Sequence, residues 1–589
     1  MKGPSFPLEK TRNREPGTLN PRKEVIAIRL KGSQIVLQVL QEEGVEVIFG
    51  YPGGMTIDIY DDLARSQIRH ILVRHEQGAV HAADGYARAS GKTGVCLVTS
   101  GPGATNTVTG IASAYMDSIP IVVLTGQVPT RLIGNDAFQE VDIVGITRPC
   151  TKHNYLVSNV EDLARILKEA FYIARSGRPG PVLVDLPKDV IQASTSYKSL
   201  QEVKLTSYNP TYEPNTKQLP KAVKLIRESR MPMVLIGGGV ILSSAAEELR
   251  AFARKVRAPV AGTLMGLGAF PASDPLWLGM IGMHGTYSAN MASSECDLMI
   301  AVGVRFDDRV TGKVEDFAPR AKIIHIDIDP TSIRKNIPVA VPIVGDCRIT
   351  LRKLNELIEQ EELRDQGRNV GPWLERIREW KGTKPLAYEQ KCTNIKPQFV
   401  IEKLNELSRG NAIVTTEVGQ NQMWTAQFFQ FEEPNRFITS GGLGCMGFGL
   451  PAAIGAQIAC PDKLVVDIAG DGSIQMNIQE MATAVQYGLP VKIVILNNRY
   501  LGMVRQWQEF FYNRCYSCTG MEHAPDFVKL AEAYGAVGLR ASRPEEVERV
   551  LKEGLTVPKP VIMDFLVERE ECVYPMVPAG KPITEMLLT

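Results

Sequence analysis

Short apolar runs rich in β-branched residues punctuate the chain, and most stop at glycine or proline. In the first third they are VEVIFG, GVCLVTSG, IPIVVLTG and GPVLVDLP, with amphipathic stretches such as HEQGAVHAADGYARASG between them. Runs of this kind read as strands buried on both faces, and their alternation with helix-period segments predicts a parallel sheet. The pattern returns from about Leu219 (MVLIGGG, DLMIAVGV, AKIIHIDID) and again from about Lys396 (NAIVTTEVG, KLVVDIAGDGS, VKIVILNNR, PVIMDFLV). Two stretches, YKSLQEVKLTSYNPTYEPNTKQ and EQEELRDQGRNVG, lack periodicity and read as linkers. The expected fold class is α/β, with three consecutive parallel-sheet domains at 27–195, 216–360 and 396–570. Linkers are expected at 196–215 and 361–395, a flexible arm at 1–26 and a tail at 571–589.

Composition narrows the class. Apolar residues make up 44% of the 589, enough for real cores. Lys and Arg number 66 against 65 Asp and Glu, a net charge of +1, which argues against a protein governed by nucleic-acid or membrane-surface attraction. No apolar run reaches the roughly 18 residues of a membrane-spanning helix. The N-terminal stretch has no apolar signal core, and Glu9, Glu15 and Glu24 are unlike an acid-poor transit peptide. The ten cysteines are scattered, the pattern of reduced cytosolic thiols. A prokaryotic cytoplasm is therefore expected, with a trimmed plastid protein as the alternative. The one C-x-x-C, Cys515 and Cys518, has no second pair or histidine at zinc spacing and reads as two thiols in a loop.

In such sheets ligands bind beyond the carboxyl ends of the strands, and the motifs fall there. Strand KLVVDIA runs into Gly470-Asp471-Gly472-Ser473, then an expected helix NIQEMATAVQYG, then strand VKIVIL and Asn497-Asn498. The Asp471 carboxylate, the Asn498 amide oxygen and a nearby backbone carbonyl, taken as that of Tyr500, suit Mg²⁺, a hard cation that completes its shell with phosphate and water. The glycines let backbone N–H groups approach a diphosphate at a helix N-terminus. GDGS followed by NN matches the binding motif for thiamine diphosphate (ThDP). In the first domain Glu76 opens a helix just after a strand. Alone it would be a helix-dipole residue, but ThDP chemistry needs a carboxyl group beside the cofactor's aminopyrimidine ring.

From about Ile26 to Pro582 the chain resembles the acetohydroxyacid synthase (acetolactate synthase) catalytic-subunit family. The resemblance rests on RHEQGA, SGPGATN, GQVPT, DAFQE, TKHNY, SGRPGPVLVDLP, GVRFDDRVTGK, GLGCMGFGLP, GDGS…NN and MVRQWQ. It implies a pyrimidine-binding domain, a central Rossmann-like domain holding structural FAD, and a diphosphate-binding domain. It also implies an active site between two subunits of a homodimer or tetramer, and a small regulatory subunit. By resemblance Glu76, Gln127 and Gly53 lie at the reacting centre. Gln420, Asn421, Gly444, Met446, Asp471, Gly472, Ser473 and Asn498 would contact ThDP. Asn421 departs from the family, where histidine is common, and donation to phosphate is still expected. Arg178, Gly238, Thr263, Leu264, His284, Gly285, Arg305, Asp307, Asp327 and Asp346 would contact FAD. Phe138, Gln139 and Lys152 would line the substrate channel, Arg309 would hold the carboxylate of a second 2-oxo acid, and Trp507 would favour 2-oxobutyrate. The implied reaction decarboxylates pyruvate and ligates the remaining hydroxyethyl unit to pyruvate or 2-oxobutyrate. The products, 2-acetolactate and 2-aceto-2-hydroxybutyrate, lead to valine, leucine and isoleucine. The alternatives are another ThDP enzyme, such as a pyruvate oxidase or a catabolic acetolactate synthase.

Overall fold

A computed structural model describes residues 28–200, 202–360, 369–391 and 393–588. The expected arm, 1–26, lies outside the described residues. Three sheets of six strands each follow one another along the chain, and every strand pair in them is parallel. The expected class, three consecutive α/β domains, is what the chain adopts. Strands such as Gly94–Val98 and Ile121–Gln127 are buried at every position. That is why their sequences carry no polar alternation.

The first sheet runs in the order Arg69–Leu72, Val47–Tyr51, Gly94–Val98, Ile121–Gln127, Val182–Pro187, His153–Leu156. Numbered within the domain this is 2-1-3-4-6-5. The third sheet, Phe437–Thr439, Ile413–Thr416, Val465–Gly470, Lys492–Asn497, Val561–Leu566, Val537–Ala541, has the same order. The middle sheet, Trp277–Met280, Val260–Gly262, Pro232–Ile236, Leu298–Val302, Lys322–Asp327, Val341–Val344, reads 3-2-1-4-5-6, the order of dinucleotide-binding domains. In each sheet the connections change side beside strand 1, which opens a crevice at the strand ends. The glycine-rich loops line these crevices. A Cβ on Gly53 would lie 2.5 Å from Thr99, and one on Gly237 would lie 2.2 Å from the Gly303 carbonyl.

The terminal domains pack through equivalent helices, each following strand 2 of its own sheet: Glu76–Ser90 and Gly449–Ala459. Their backbones touch reciprocally. A Cβ on Gly85 would lie 2.2 Å from the Ala452 carbonyl oxygen, and one on Gly455 would lie 1.9 Å from that of Ala82.

Two sequence expectations change. The 361–395 linker contains a helix, Gly371–Thr383, whose Trp373, Ile377 and Trp380 pack on the central domain. Their i, i+4, i+7 spacing makes one apolar face, and Trp373 Nε1 donates to the Pro232 carbonyl (3.0 Å). The helix expected over NIQEMATAVQYG is reduced to one 3₁₀ turn, Ile478–Glu480, and the helix Met481–Gln486. Asn477 and Glu480 there spend their side chains on other segments.

Candidate active site in two halves

One half lies at the crevice of the first domain. Glu76 is the first residue of its helix, preceded by His75, whose ring accepts from Gln77 N and caps the first turn. Asn106, the last residue of SGPGATN, donates to Glu76 Oε2 (2.9 Å), so the carboxyl is held but half-exposed. A Cβ on Gly103 would lie 2.8 Å from Thr99 and 3.4 Å from Glu76, and one on Gly101 would press on Gln139. Gly53, Glu76, Gln139 and Phe138 thus gather at one end of the sheet, with Phe138 83% exposed. Gln127 sits beneath them, buried. Its amide donates to Asp185 Oδ2 (3.0 Å) and the Val141 carbonyl (2.8 Å) and accepts from Val128 N. Its polar atoms are therefore committed within the domain.

Lys152 is committed within the first domain and the linker that follows it. Its ammonium donates to the carbonyls of Ile173 and Ser176 and to Tyr208, capping the end of helix Val160–Arg175. Burial lowers it to about 8. A long amphipathic side chain can as well satisfy buried carbonyls as reach a ligand, and sequence position does not distinguish the two.

The other half is a cavity of about 1330 Å³ formed mainly by the central and C-terminal domains, with Tyr115, Met116 and Arg178 contributed by the first. It is lined by Gln420, Asn421, Gly444, Met446, Asp471, Gly472, Ser473, Asn498, Tyr500, Arg309 and Trp507. Asp471 is 1% exposed, and neither carboxylate oxygen has a hydrogen-bond partner among the described residues. Burial pushes its carboxyl up to about 7. Two orphaned, buried carboxylate oxygens are what a cation site leaves when described without its ion. Asn498 Nδ2 donates to Gln420 Oε1 (3.1 Å), which fixes the amide, while Oδ1 accepts from Tyr500 N (3.1 Å). Gln420 is an orienting neighbour of Asn498. Its own Nε2 donates to Gln506 and to the Glu571 carbonyl.

Asn421 requires a correction. Its Nδ2 donates to the carbonyls of Glu417 (3.0 Å) and Ile468 (2.8 Å), tying two strand ends together. The side chain therefore offers the cavity an acceptor oxygen and has no free donor for phosphate. A residue missed from sequence is Glu417. It is fully buried and accepts from Gly447 N (2.5 Å) and Leu450 N (3.2 Å), holding the loop that carries Met446.

Arg309 is exposed beside Asp308 (3.4 Å) at the cavity, and Trp507 packs edge-on against Phe511. Thr263, Leu264, His284, Arg178, Arg305 and Asp307 continue the lining. A second cavity of about 190 Å³ adjoins it, with Gly238, Asp327 and Asp346. Together they run from the Gly237–Gly239 turn of the central domain to the Asp471 region. Burial raises Asp327 to about 6 and lowers His284 to about 4, where the ring meets the Pro575 carbonyl (3.1 Å). Gly285 lines neither cavity. It serves a tight turn, since a Cβ there would lie 2.6 Å from Gly282 N.

The two halves do not meet within the chain: Glu76, Gly53, Gln127, Phe138 and Gln139 line neither cavity. Among the described residues no helix is long and apolar enough to cross a membrane.

Comparison with known proteins fits this geometry. Three thiamine pyrophosphate (another name for ThDP) enzyme families match in order: "N-terminal TPP binding domain" at 30–146, "central domain" at 219–354 and "C-terminal TPP binding domain" at 417–565. The acetolactate synthase isozyme 3 large subunit of Escherichia coli K12 is 51% identical over 95% of this chain and 99% of its own. The acetolactate synthase large subunit of Haemophilus influenzae is 50% identical over 95% of this chain and 98% of its own. Acetolactate synthase 1, chloroplastic, of tobacco is 49% identical over 95% of this chain and 85% of its own. Domain order, cavity chemistry and near-full-length identity agree: the chain belongs to the acetolactate synthase large-subunit family of thiamine pyrophosphate enzymes.

Proposed function

We propose that this chain condenses pyruvate with a second 2-oxo acid, giving 2-acetolactate from pyruvate and 2-aceto-2-hydroxybutyrate from 2-oxobutyrate. The observation that carries the reading is the buried Asp471 carboxylate, without a partner, in a cavity shared with Asn498, Met446, Arg309 and Trp507.

Asp471, Asn498 and the Tyr500 carbonyl would hold Mg²⁺, and Gly444, Met446, Gly472 and Ser473 would seat the ThDP that the ion anchors. When bound, ThDP supplies a carbon nucleophile and an electron sink for decarboxylation. Glu76 is the proton carrier. With Oε2 engaged by Asn106, Oε1 is the oxygen left to hold a proton toward the aminopyrimidine ring. Arg309 captures the acceptor's carboxylate, for which a guanidinium fork is suited, and Trp507 gives the apolar contact that favours one extra methylene. The paired cavities and the 3-2-1-4-5-6 sheet support FAD in the central domain, held by Gly238, Arg178, Asp327 and Asp346. A homodimer, or a tetramer built from it, would bring Glu76 of one copy to Asp471 of another. The designation of the relatives as large subunits supports a smaller regulatory partner. Bacterial relatives and scattered free thiols support work in a prokaryotic cytoplasm.

The test is a product assay with pyruvate and 2-oxobutyrate in the presence of ThDP, Mg²⁺ and FAD, read by mass spectrometry. Both acetohydroxy acids are expected. Acetate or acetaldehyde alone would overturn the reading in favour of an oxidase or a simple decarboxylase.

A further inference from the structure

Two buried carboxylates reach across between the terminal domains in a reciprocal way. Glu480, in the segment after strand Val465–Gly470, points Oε1 at the backbone N–H groups of Arg74 (2.9 Å) and His75 (3.0 Å), the two residues before Glu76. Its Oε2 accepts from Thr483 Oγ1 (2.6 Å). Asp117, at the end of helix Val108–Asp117 after strand Gly94–Val98, accepts from Gly442 N (2.7 Å) on Oδ1 and Gly441 N (3.0 Å) on Oδ2. Those glycines begin the loop that leads to Gly444 and Met446. Each carboxylate follows strand 3 of its own sheet, and each grips the segment after strand 2 of the other domain.

Room is made for both by a missing side chain. A Cβ on Gly78 would lie 2.6 Å from Glu480 Oε1, and one on Gly442 would lie 3.0 Å from Asp117 Oδ1. Arg88, on the Glu76 helix, joins the second clamp. It donates to Asp84 (2.6 Å), to Asp117 (3.0 Å) and to the Thr439 carbonyl (2.9 Å). A carboxylate that accepts backbone N–H bonds in a buried site fixes the backbone there more firmly than a neutral group.

We propose that Glu480 and Asp117 are positioning residues that lock each chain's two half-sites to one another, Glu480 setting the Glu76 segment and Asp117 setting the Met446 loop. This rests on the roles proposed above for Glu76 and Met446. If those half-sites serve different active sites of a dimer, the clamps are also the rigid link between the two sites.

The experiment uses the full chain with ThDP, Mg²⁺ and FAD, and three variants. Glu480→Met keeps the bulk and removes the acceptor. Glu480→Gln keeps an acceptor for the two N–H groups and turns its amide to Thr483, whose hydroxyl can accept. Asp117→Asn places a donor against a glycine N–H. The first readout is backbone hydrogen–deuterium exchange by mass spectrometry, without and with cofactors. Glu480→Met should speed exchange over 73–77 and spare 440–446, and Asp117→Asn should do the reverse. The second readout is kinetic. Glu480→Met should lower kcat about 10- to 100-fold, the usual cost of a lost orienting neighbour, with KM for pyruvate little changed. Asp117→Asn should raise the ThDP concentration for half-activation about tenfold. Glu480→Gln should restore exchange and kcat together.

A folded Glu480→Met with parental exchange at 73–77 overturns the clamp. Faster exchange with parental kcat overturns the positioning role, and so does Glu480→Gln as impaired as Glu480→Met. Should Glu480→Met not fold, Asp117→Asn decides: parental exchange over 440–446 overturns the clamp, and faster exchange there with a parental ThDP requirement overturns the positioning role. An inactive parent would overturn the proposed reaction, and the exchange arms would still decide the clamp.

Discussion

Asp185 offers a test of the electrostatics beneath the Glu76 half-site. Its carboxylate is 1% exposed and accepts from Thr125 Oγ1 (2.7 Å) and Gln127 Nε2 (3.0 Å). Burial, which outweighs these two hydrogen bonds, pushes its pKa from 3.8 to about 7. Because the folded pKa is raised, the native state keeps a proton between pH 4 and 7 that the unfolded chain releases. The carboxyl therefore costs nothing below pH 4, costs progressively more up to pH 7, and its cost is constant above that. A displacement of about three pH units corresponds to roughly 4 kcal/mol, an upper bound. Asp185→Asn removes the charge at constant shape. Its oxygen can keep the Gln127 bond while its amide donates to Thr125 Oγ1, the arrangement the protonated carboxyl also takes, so the Thr125 hydroxyl hydrogen loses its acceptor equally in the variant and in the protonated parent. Near pH 4.5 the cost is still only about 1 kcal/mol, so the variant should melt just a few degrees above the parent there and clearly higher at pH 8, since 1 kcal/mol moves the Tm of a domain this size by about 2–4 °C. Thermal melts of both proteins at matched pH read the difference directly. An equal offset at both pH values, or a less stable variant at pH 8, would refute the reasoning.

Asp471→Asn should abolish the rise in Tm that Mg²⁺ and ThDP together give the parent, measured by thermal melt with and without EDTA. A retained rise would remove Asp471 from the cation site. Gly85→Ala puts a Cβ 2.2 Å from the Ala452 carbonyl oxygen. It should lower stability by roughly 1–3 kcal/mol despite alanine's better helix propensity, and a Tm at or above the parent's would contradict the close helix approach. Trp507→Leu should erode the preference for 2-oxobutyrate over pyruvate by about 10-fold or more, read from the product ratio with both acceptors present.

The strands were legible because burial on both faces writes itself as unbroken apolar runs. The GDGS…NN pair was legible because glycine, carboxylate and amide at strand ends have few other uses. Strand order was not readable, since any parallel sheet gives the same runs. It is the shared 2-1-3-4-6-5 order that shows the terminal domains to be equivalent. Side-chain direction was also hidden. Lys152 and Asn421 have the chemistry to meet a substrate carboxylate or a phosphate, yet each spends its donors on backbone carbonyls and, for Lys152, the Tyr208 hydroxyl. Glu480 and Asp117 left no trace because their partners in the other domain are backbone N–H groups, which any residue supplies.

The equivalence of the terminal domains leads to the strongest prediction. Within one chain the Glu76 half-site and the Asp471 cavity lie apart, and Phe138 and Ile57 stand 83% and 59% exposed in the first domain. A two-fold pairing of chains would cover such residues and close two identical sites, each taking Glu76 from one copy and Asp471 from the other. Chains carrying Glu76→Gln and chains carrying Asp471→Asn should then each be inactive alone. In a mixed dimer one site receives both defects and the other receives none. With random pairing of equal amounts, half the dimers are mixed and half of their sites are intact, so about one quarter of parental activity should return. Co-expression of the two chains with different tags, and sequential purification on both, gives the mixed dimer alone, with about one half of parental activity expected. If a single chain supplied both groups, every site in every combination would carry a defect. A doubly tagged dimer without activity would then refute the shared site, whatever each variant does by itself.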